Sequence, residues 1–354
     1  GGGGGEAETS AAGEAGGRGP PAGATGGGGA VAGALLTGDG FLASANNLQA
    51  PGLFGVVGVA YPLPFRARRI VDLLSGGERW GPEDVVELQR DTRSLLADRL
   101  ADRARAAARR AGREEVARLL SDWDHRVDRG SRAAGVFYAW AYRLRSLVAA
   151  DEYRTTSEWG YFPMSALLRV LAGAPGSRAW IDDVTTDSAE SLEGLEERAL
   201  RGAAGATGLR PWGELHRERH GHPLGRVGWL DRLFGFDVGP YPSPGAPRTV
   251  RPDDYMRWRP LDERSWRPPW INDYGPSERL VVSLGPGGPE GWFLLPTGQS
   301  GNPLDPHYRD MSGRWREGGA MIRLPMDPEE VAAGSTRSLT LAPGDPARGG
   351  GGDR

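Results

Sequence analysis

The side chains best suited to acid–base or metal chemistry sit close together in the second half of the chain. His216, Glu218, His220 and His222 follow one another within a short stretch. The order His216-Arg217-Glu218-Arg219-His220 is not the His-Glu-x-x-His arrangement that sets two imidazoles and a base on one helical face, and Gly221 with Pro223 breaks the helix that would align them. Ordinary hydrogen-bonded histidines are therefore expected rather than a zinc site. Asp182 and Asp183 beside Trp180 combine acids with an aromatic platform, but adjacent carboxylates cannot flank one glycosidic bond, so a solvated loop is expected there.

Composition removes other chemistries. All 43 basic residues are Arg, with no Lys, which excludes a lysine nucleophile or Schiff base. Zero Cys excludes disulfides, thiolate nucleophiles and zinc–thiolate sites. A net charge of -3 gives no global attraction to a polyanion, so no nucleic-acid partner is expected. No apolar run is long enough for a membrane span, and no charged segment followed by an apolar one marks a signal peptide. Gly1 opens the sequence and the earliest methionine is Met164, which reads as a processed or truncated product.

These residues need a scaffold, and periodicity supplies it. Residues 1 to about 30 are almost all Gly, Ala and small polar residues without apolar periodicity, and the segment 1–35 is expected to be disordered, as is the Gly/Pro-rich tail 335–354. A folded domain over 36–334 remains. Phe41 to Ala43 suggest a short strand before an irregular Pro/Gly loop that ends at Pro64. Ile70, Leu73 and Leu74 have helical spacing, and a helix restarting at Gly81-Pro82 with Glu83 and Asp84 in its first turn is expected to run on to Arg110. Val116 to Trp123 form a second helix, and Ser131 caps a third whose core face carries Ala134, Phe137, Ala141, Leu144 and Val148. Residues 188–202 give a fourth. Beyond Gly239 the pattern turns to strands: Leu280–Leu284 and Trp292–Leu295 flank Pro286-Gly287-Gly288-Pro289, predicting a hairpin with both strands largely buried. Tyr308, Met311 and Trp315 predict one last short helix.

Four stretches in order carry a family resemblance. Ala45-Asn46-Asn47 is followed by Phe65-Arg66-Ala67-Arg68-Arg69-Ile70. Leu88-Gln89-Arg90-Asp91 leads to Ser94, Trp123 and the Ser131 helix. Trp212-Gly213 precedes His216 and His222-Pro223-Leu224. Tyr274-Gly275-Pro276-Ser277 leads to Pro296-Thr297-Gly298-Gln299-Ser300-Gly301-Asn302-Pro303 and His307-Tyr308-Arg309-Asp310. Collinear over residues 41–318, they resemble the C-terminal portion of the catalytic chain of penicillin acylases, which are N-terminal-nucleophile hydrolases.

The resemblance implies an α+β fold that is part of an αββα sandwich, with a helical arm from about 66 to 202 and strands returning at about 247 to 300. It implies hydrolysis of linear amides, such as the acyl side chain of a β-lactam or an acyl-homoserine lactone, in the periplasm or outside the cell. The expected partners are an upstream part of the catalytic chain, the small chain of the same precursor and a small-molecule amide. In that family the nucleophile is the first residue of the mature chain. Gly1 cannot serve, and Ser10 and Ser44 lie too near Asn46, so this chain alone is expected to lack a nucleophile and to be inactive. The rival expectation is a non-catalytic remnant or assembly module of the same fold.

Two catalytic residues are carried over by register. Asn46 matches the asparagine whose amide helps hold the oxyanion: an uncharged N–H donor stabilises a developing alkoxide without titrating, by about 3 to 4 kcal/mol. The alternative for an Asn pair before a Pro/Gly loop is an Asx turn. Arg69 matches the arginine near the nucleophile, and its donor fork could hold the Asn46 carbonyl and a carboxylate together. Some members of the family bind calcium partly through the loop after the Asn pair, but no acid occurs from Leu48 through Arg66 here, so the expected cofactor is none.

Overall fold

The computed structural model describes residues 40–48, 61–77, 79–149, 163–252, 268–336 and 339–340. The expected disordered segment 1–35 and nearly all of the tail 335–354 lie outside them, as does the loop over 49–60. The architecture is a helical body followed by two small sheets, a mixed α+β arrangement.

The body begins with α1 (Phe65–Leu74) and α2 (Pro82–Gln89). The expected continuous helix to Arg110 is interrupted. α2 ends at Arg90, and α3 (Leu95–Arg110) starts afresh with Ser94 as N-cap, its Oγ accepting from the Ala97 N–H at 3.1 Å. An interior serine that can bond the backbone of the following turn starts a helix more readily than it continues one. The same Oγ lies 2.8 Å from the Tyr138 hydroxyl, tying this start to the centre of the body.

α4 (Glu114–Ser121) follows, and α5 (Arg132–Val148) is capped by Ser131, whose Oγ accepts from Ala134 N at 3.2 Å. The sequence assigned α5 one core face. Residues on all sides of it are buried, including Tyr138, Trp140 and Tyr142, as befits the central helix of a body rather than a surface one. It packs most closely on α8 (Leu192–Thr207), which begins at Ser191 and ends at the left-handed Gly208. Glu196 of α8 is buried and held by Arg103 at 2.6 Å and Arg110 at 2.7 Å, both from α3. The short helices α6 (Met164–Leu171) and α7 (Ser177–Ile181), unpredicted, complete this layer, and Asp182 and Asp183 lie in the polar turn after it.

The four-residue α9 (Trp212–Leu215) delivers the chain to the first sheet, of order β2-β1-β3. In it β1 (His216–His220) pairs antiparallel with β2 (Val238–Pro242) and parallel with β3 (Trp270–Asn272). The exposed α10 (Gly228–Phe234) lies between β1 and β2. The second sheet joins β4 (Arg279–Gly285), β5 (Gly288–Leu294) and β6 (Ile322–Leu324), all antiparallel.

The predicted hairpin is present, with a two-residue turn at Pro286-Gly287 closed by the Gly285–Gly288 pair. Its burial differs from expectation. Val281 is 5% exposed but Val282 is 46% and Leu284 85% exposed, so β4 has one covered and one open face. A run of apolar residues cannot distinguish a strand buried on both faces from one with an uncovered face.

Residues 41–44 form no strand, against the expectation at Phe41. The last predicted helix is split into a 3-10 turn at Pro306–Tyr308 and α11 (Ser312–Glu317), although Tyr308, Met311 and Trp315 are buried as their spacing suggested. A final α12 (Pro328–Gly334) follows β6. Among the described residues, no helix is long and apolar enough to cross a membrane.

Candidate active site

Asn46 is exposed and adopts φ +64°, the left-handed region that asparagine tolerates better than most residues. Its neighbour Asn47 is used locally, accepting the Ala45 N–H at 3.1 Å. That contact reaches two residues back along the chain, whereas an Asx turn reaches two residues on, so among the described residues neither asparagine makes the Asx turn. The Asn46 carbonyl accepts from Arg66 Nη1 at 3.3 Å, which aims the amide, and its Nδ2 donates to none of the described residues.

The family register predicts that Arg69 orients Asn46. In the structure Arg69 Nε and Nη2 meet Asp91 Oδ1 and Oδ2 at 3.0 and 2.9 Å, a two-point ion pair. The hydrogen bond to Asn46 comes from Arg66, one helical turn earlier on α1. Burial lowers Arg66 from the ordinary arginine value, with the charge of Arg248 acting in the same direction. The hydrogen bond with Asp91 raises Arg69.

Asp91 is the hub behind the pair. Its Oδ1 also accepts Arg93 N at 3.2 Å, and its backbone carbonyl accepts Arg251 N at 3.0 Å. The α2–α3 break, absent from the sequence expectation, turns this carboxylate to α1 and the Asp91 carbonyl to the segment after β2. A polar Asp-Thr-Arg-Ser run inside an otherwise helical pattern was the available signal.

The histidines resolve differently. His216, Glu218 and His220 do share one face, because they alternate on a strand. His216 is buried, stacks on Trp212 with ring centroids 4.7 Å apart, and donates from Nδ1 to the Ser243 carbonyl at 3.1 Å. Burial pushes it down to about 4. His220 Nε2 lies 3.0 Å from both Glu218 Oε1 and the Tyr241 hydroxyl. Glu218 also accepts from Ser243 Oγ at 3.0 Å and from Trp315 Nε1 at 3.1 Å. Burial alone would raise this carboxyl; the hydrogen bond with His220 and the charge of Arg251 outweigh it and hold Glu218 down at about 2. His222 turns away, accepting Leu224 N at 3.1 Å as the cap of the next turn. Among the described residues, no three His, Cys, Asp or Glu side chains are grouped to hold a metal.

The predicted positions thus hold an exposed asparagine amide bonded to a helix arginine, with a carboxylate ion-paired behind that helix. The model of the penicillin amidase family matches residues 34–333, and the chain belongs to that family. It is 27% identical over 300 residues to the "Penicillin acylase 2 proenzyme" of Pseudomonas sp. (strain SE83), covering 79% of this chain and 35% of that protein. It is 26% identical to the "Acyl-homoserine lactone acylase QuiP" of Pseudomonas aeruginosa, covering 86% of this chain and 40% of the relative. The chain thus spans little more than a third of these relatives' length. Among solved structures, a thermostable penicillin G acylase from Alcaligenes faecalis aligns with a TM-score of 0.49 and 15% identity, over 87% of this chain and 57% of the other.

Proposed function

We propose that these residues form the C-terminal part of the catalytic chain of a linear-amide hydrolase, in which Asn46 supplies a neutral hydrogen bond to the oxyanion. The observation that carries this reading is the Asn46 amide: its carbonyl end is held by Arg66 and its Nδ2 end is engaged by no described residue. A donor already aimed in the ground state needs no reorganisation as negative charge builds on the substrate oxygen.

In this reading Arg66 is the positioning residue for Asn46, and Arg69 acts one step back by fixing α1 to Asp91. The nucleophile and its amine base come from the part of the protein beyond these residues, in keeping with a chain that spans 35% and 40% of two relatives. By itself the chain is then inactive. Names of the relatives support two substrate classes, an acylated β-lactam and an acyl-homoserine lactone, and a periplasmic or extracellular setting fits both.

The test is co-expression with the upstream coding region, followed by assay on a penicillin, an acyl-homoserine lactone and a chromogenic acyl anilide. Turnover by the assembled protein and none by the 354-residue chain is expected. An upstream region without a Ser, Thr or Cys at a self-cleavage site would point instead to the non-catalytic assembly module.

A further inference from the structure

Between the two sheets lies a charge cluster whose signs do not balance. Glu218 is its buried carboxylate. Arg251 Nη2 stands 3.7 Å from Glu218 Oε2, an ion pair beyond hydrogen-bonding distance. The Arg279 guanidinium lies 4.0 Å from the centre of the Trp315 ring, whose indole N–H is already spent on Glu218. Arg129 and Arg316 border the group: the charge of Arg251 depresses both Arg129 and Arg279, and that of Arg316 adds to the effect on Arg129. Burial is the larger cause for both, and brings Arg279 down to about 9, so it still carries its charge at neutral pH.

The donors are in surplus as well. Arg251 is 6% exposed, Arg279 5% and Asn272 1%. Arg251 Nη2, Arg279 Nη2 and Asn272 Nδ2 are buried, and none has an acceptor among the described residues. Asn272 stands opposite Glu218 in the β1–β3 register. Its Oδ1 accepts Tyr274 N at 2.9 Å, and its amide nitrogen lies beside Gly275. Glu218 can take little of the surplus: Oε1 already receives Trp315 and His220 and Oε2 receives Ser243, leaving room for one more donor at most. A buried N–H without an acceptor forfeits its hydration, and a buried unpaired charge forfeits more.

We propose that this cluster is a binding site for a carboxylate, held by Arg251 and Arg279. The planar guanidinium forks match the two oxygens of a carboxylate. One further negative charge offsets the excess of the two buried arginines over Glu218. The carboxylate is either a free small acid or an Asp or Glu side chain from the rest of the longer protein. This site does not depend on the amidase reading.

The probe is acetate, added to the 354-residue chain at constant ionic strength and followed by NMR of carbon-13-labelled acetate and of the arginine Nε–Hε signals. Saturable binding is expected, with shifts confined to Arg251, Arg279 and their neighbours. Arg279→Met should weaken it at least tenfold, and Arg323→Met, an exposed arginine paired with Glu330, should leave it unchanged. If Arg279→Met fails to fold, the arginine signals of the unaltered chain still decide the matter. No saturable binding up to about 100 mM, shifts at other arginines, or an equal response to chloride would overturn the proposal. Repeating the titration on protein co-expressed with the upstream region separates the sources: loss of acetate binding assigns the site to a protein carboxylate, and retention assigns it to a free acid.

Discussion

Arg69 of α1 and Asp91, in the break between α2 and α3, form a two-point ion pair with contacts of 3.0 and 2.9 Å. The Asp91 side chain is 7% exposed and Arg69 20% exposed, so the partners are unequally solvated. Removing the arginine leaves the buried carboxylate, among the described residues, only the Arg93 N–H at 3.2 Å and Arg126 Nη1 at 3.6 Å. Arg69→Ala is expected to cost about 2 to 3 kcal/mol, less than for a fully buried pair because Arg69 still meets water. Arg69→Lys should recover less than half of it, since an ammonium cannot bridge both oxygens. Urea midpoints of the chain measure both.

In an assembled, processed enzyme the three residues of the candidate site should separate kinetically. Asn46→Ala removes a donor that matters when the oxyanion forms, so kcat should fall by about 100- to 1000-fold with little change in KM. Asn47→Ala should be far milder, and Arg66→Ala intermediate, since it aims Asn46 without touching the oxygen. Equal, small effects at Asn46 and Asn47 would show that the register was misread.

Acid should weaken the fold in two windows with separable causes. His216 is held near 4 against an ordinary 6.5, so the unfolded chain binds its proton first and stability falls as pH drops from 6.5 to 4, by about 3 kcal/mol. Glu218 is depressed from 4.5 to about 2, so its contribution is complete above 4.5 and is lost as pH falls toward 2. His216→Gln should flatten the first window and Glu218→Gln the second. Midpoints of urea unfolding between pH 7 and pH 3 would reveal a slope that ignores these substitutions, if another group is responsible.

Gly298, within the Pro296–Pro303 stretch, is packed under the following turn. A Cβ there would overlap the His307 carbonyl oxygen and come within 2.7 Å of Asp310 Oδ1. That carbonyl is fixed by Ser300 N at 3.2 Å, and Thr297 O accepts Met311 N at 3.0 Å, so the loop cannot open easily. Gly298→Ala should cost about 1 to 3 kcal/mol in overpacking, while Gly301→Ala, where a Cβ meets nothing within 4 Å, should be nearly neutral. Thermal midpoints of the two variants provide the comparison.

The sequence by itself determined the elements whose causes are local. Ser131 starts α5 because its side-chain oxygen can reach the next turn's N–H, whereas the fourth helix, expected over 188–202, runs from Leu192 to Thr207. The β4–β5 hairpin follows from its Pro-Gly turn, and the ordered motifs identified the family before any geometry was known. Tertiary structure decided whatever depends on which distant atoms meet. Arg66 and Arg69 lie on one helix and read alike in sequence; only the position of Asp91 at the α2–α3 break gives Arg69 a carboxylate and leaves the Asn46 carbonyl to Arg66. His216, Glu218 and His220 share a face because β2 and β3 pair with their segment, and pairing is non-local. The surplus of buried arginines was likewise invisible, since charge balance depends on burial and distance, which only folding fixes.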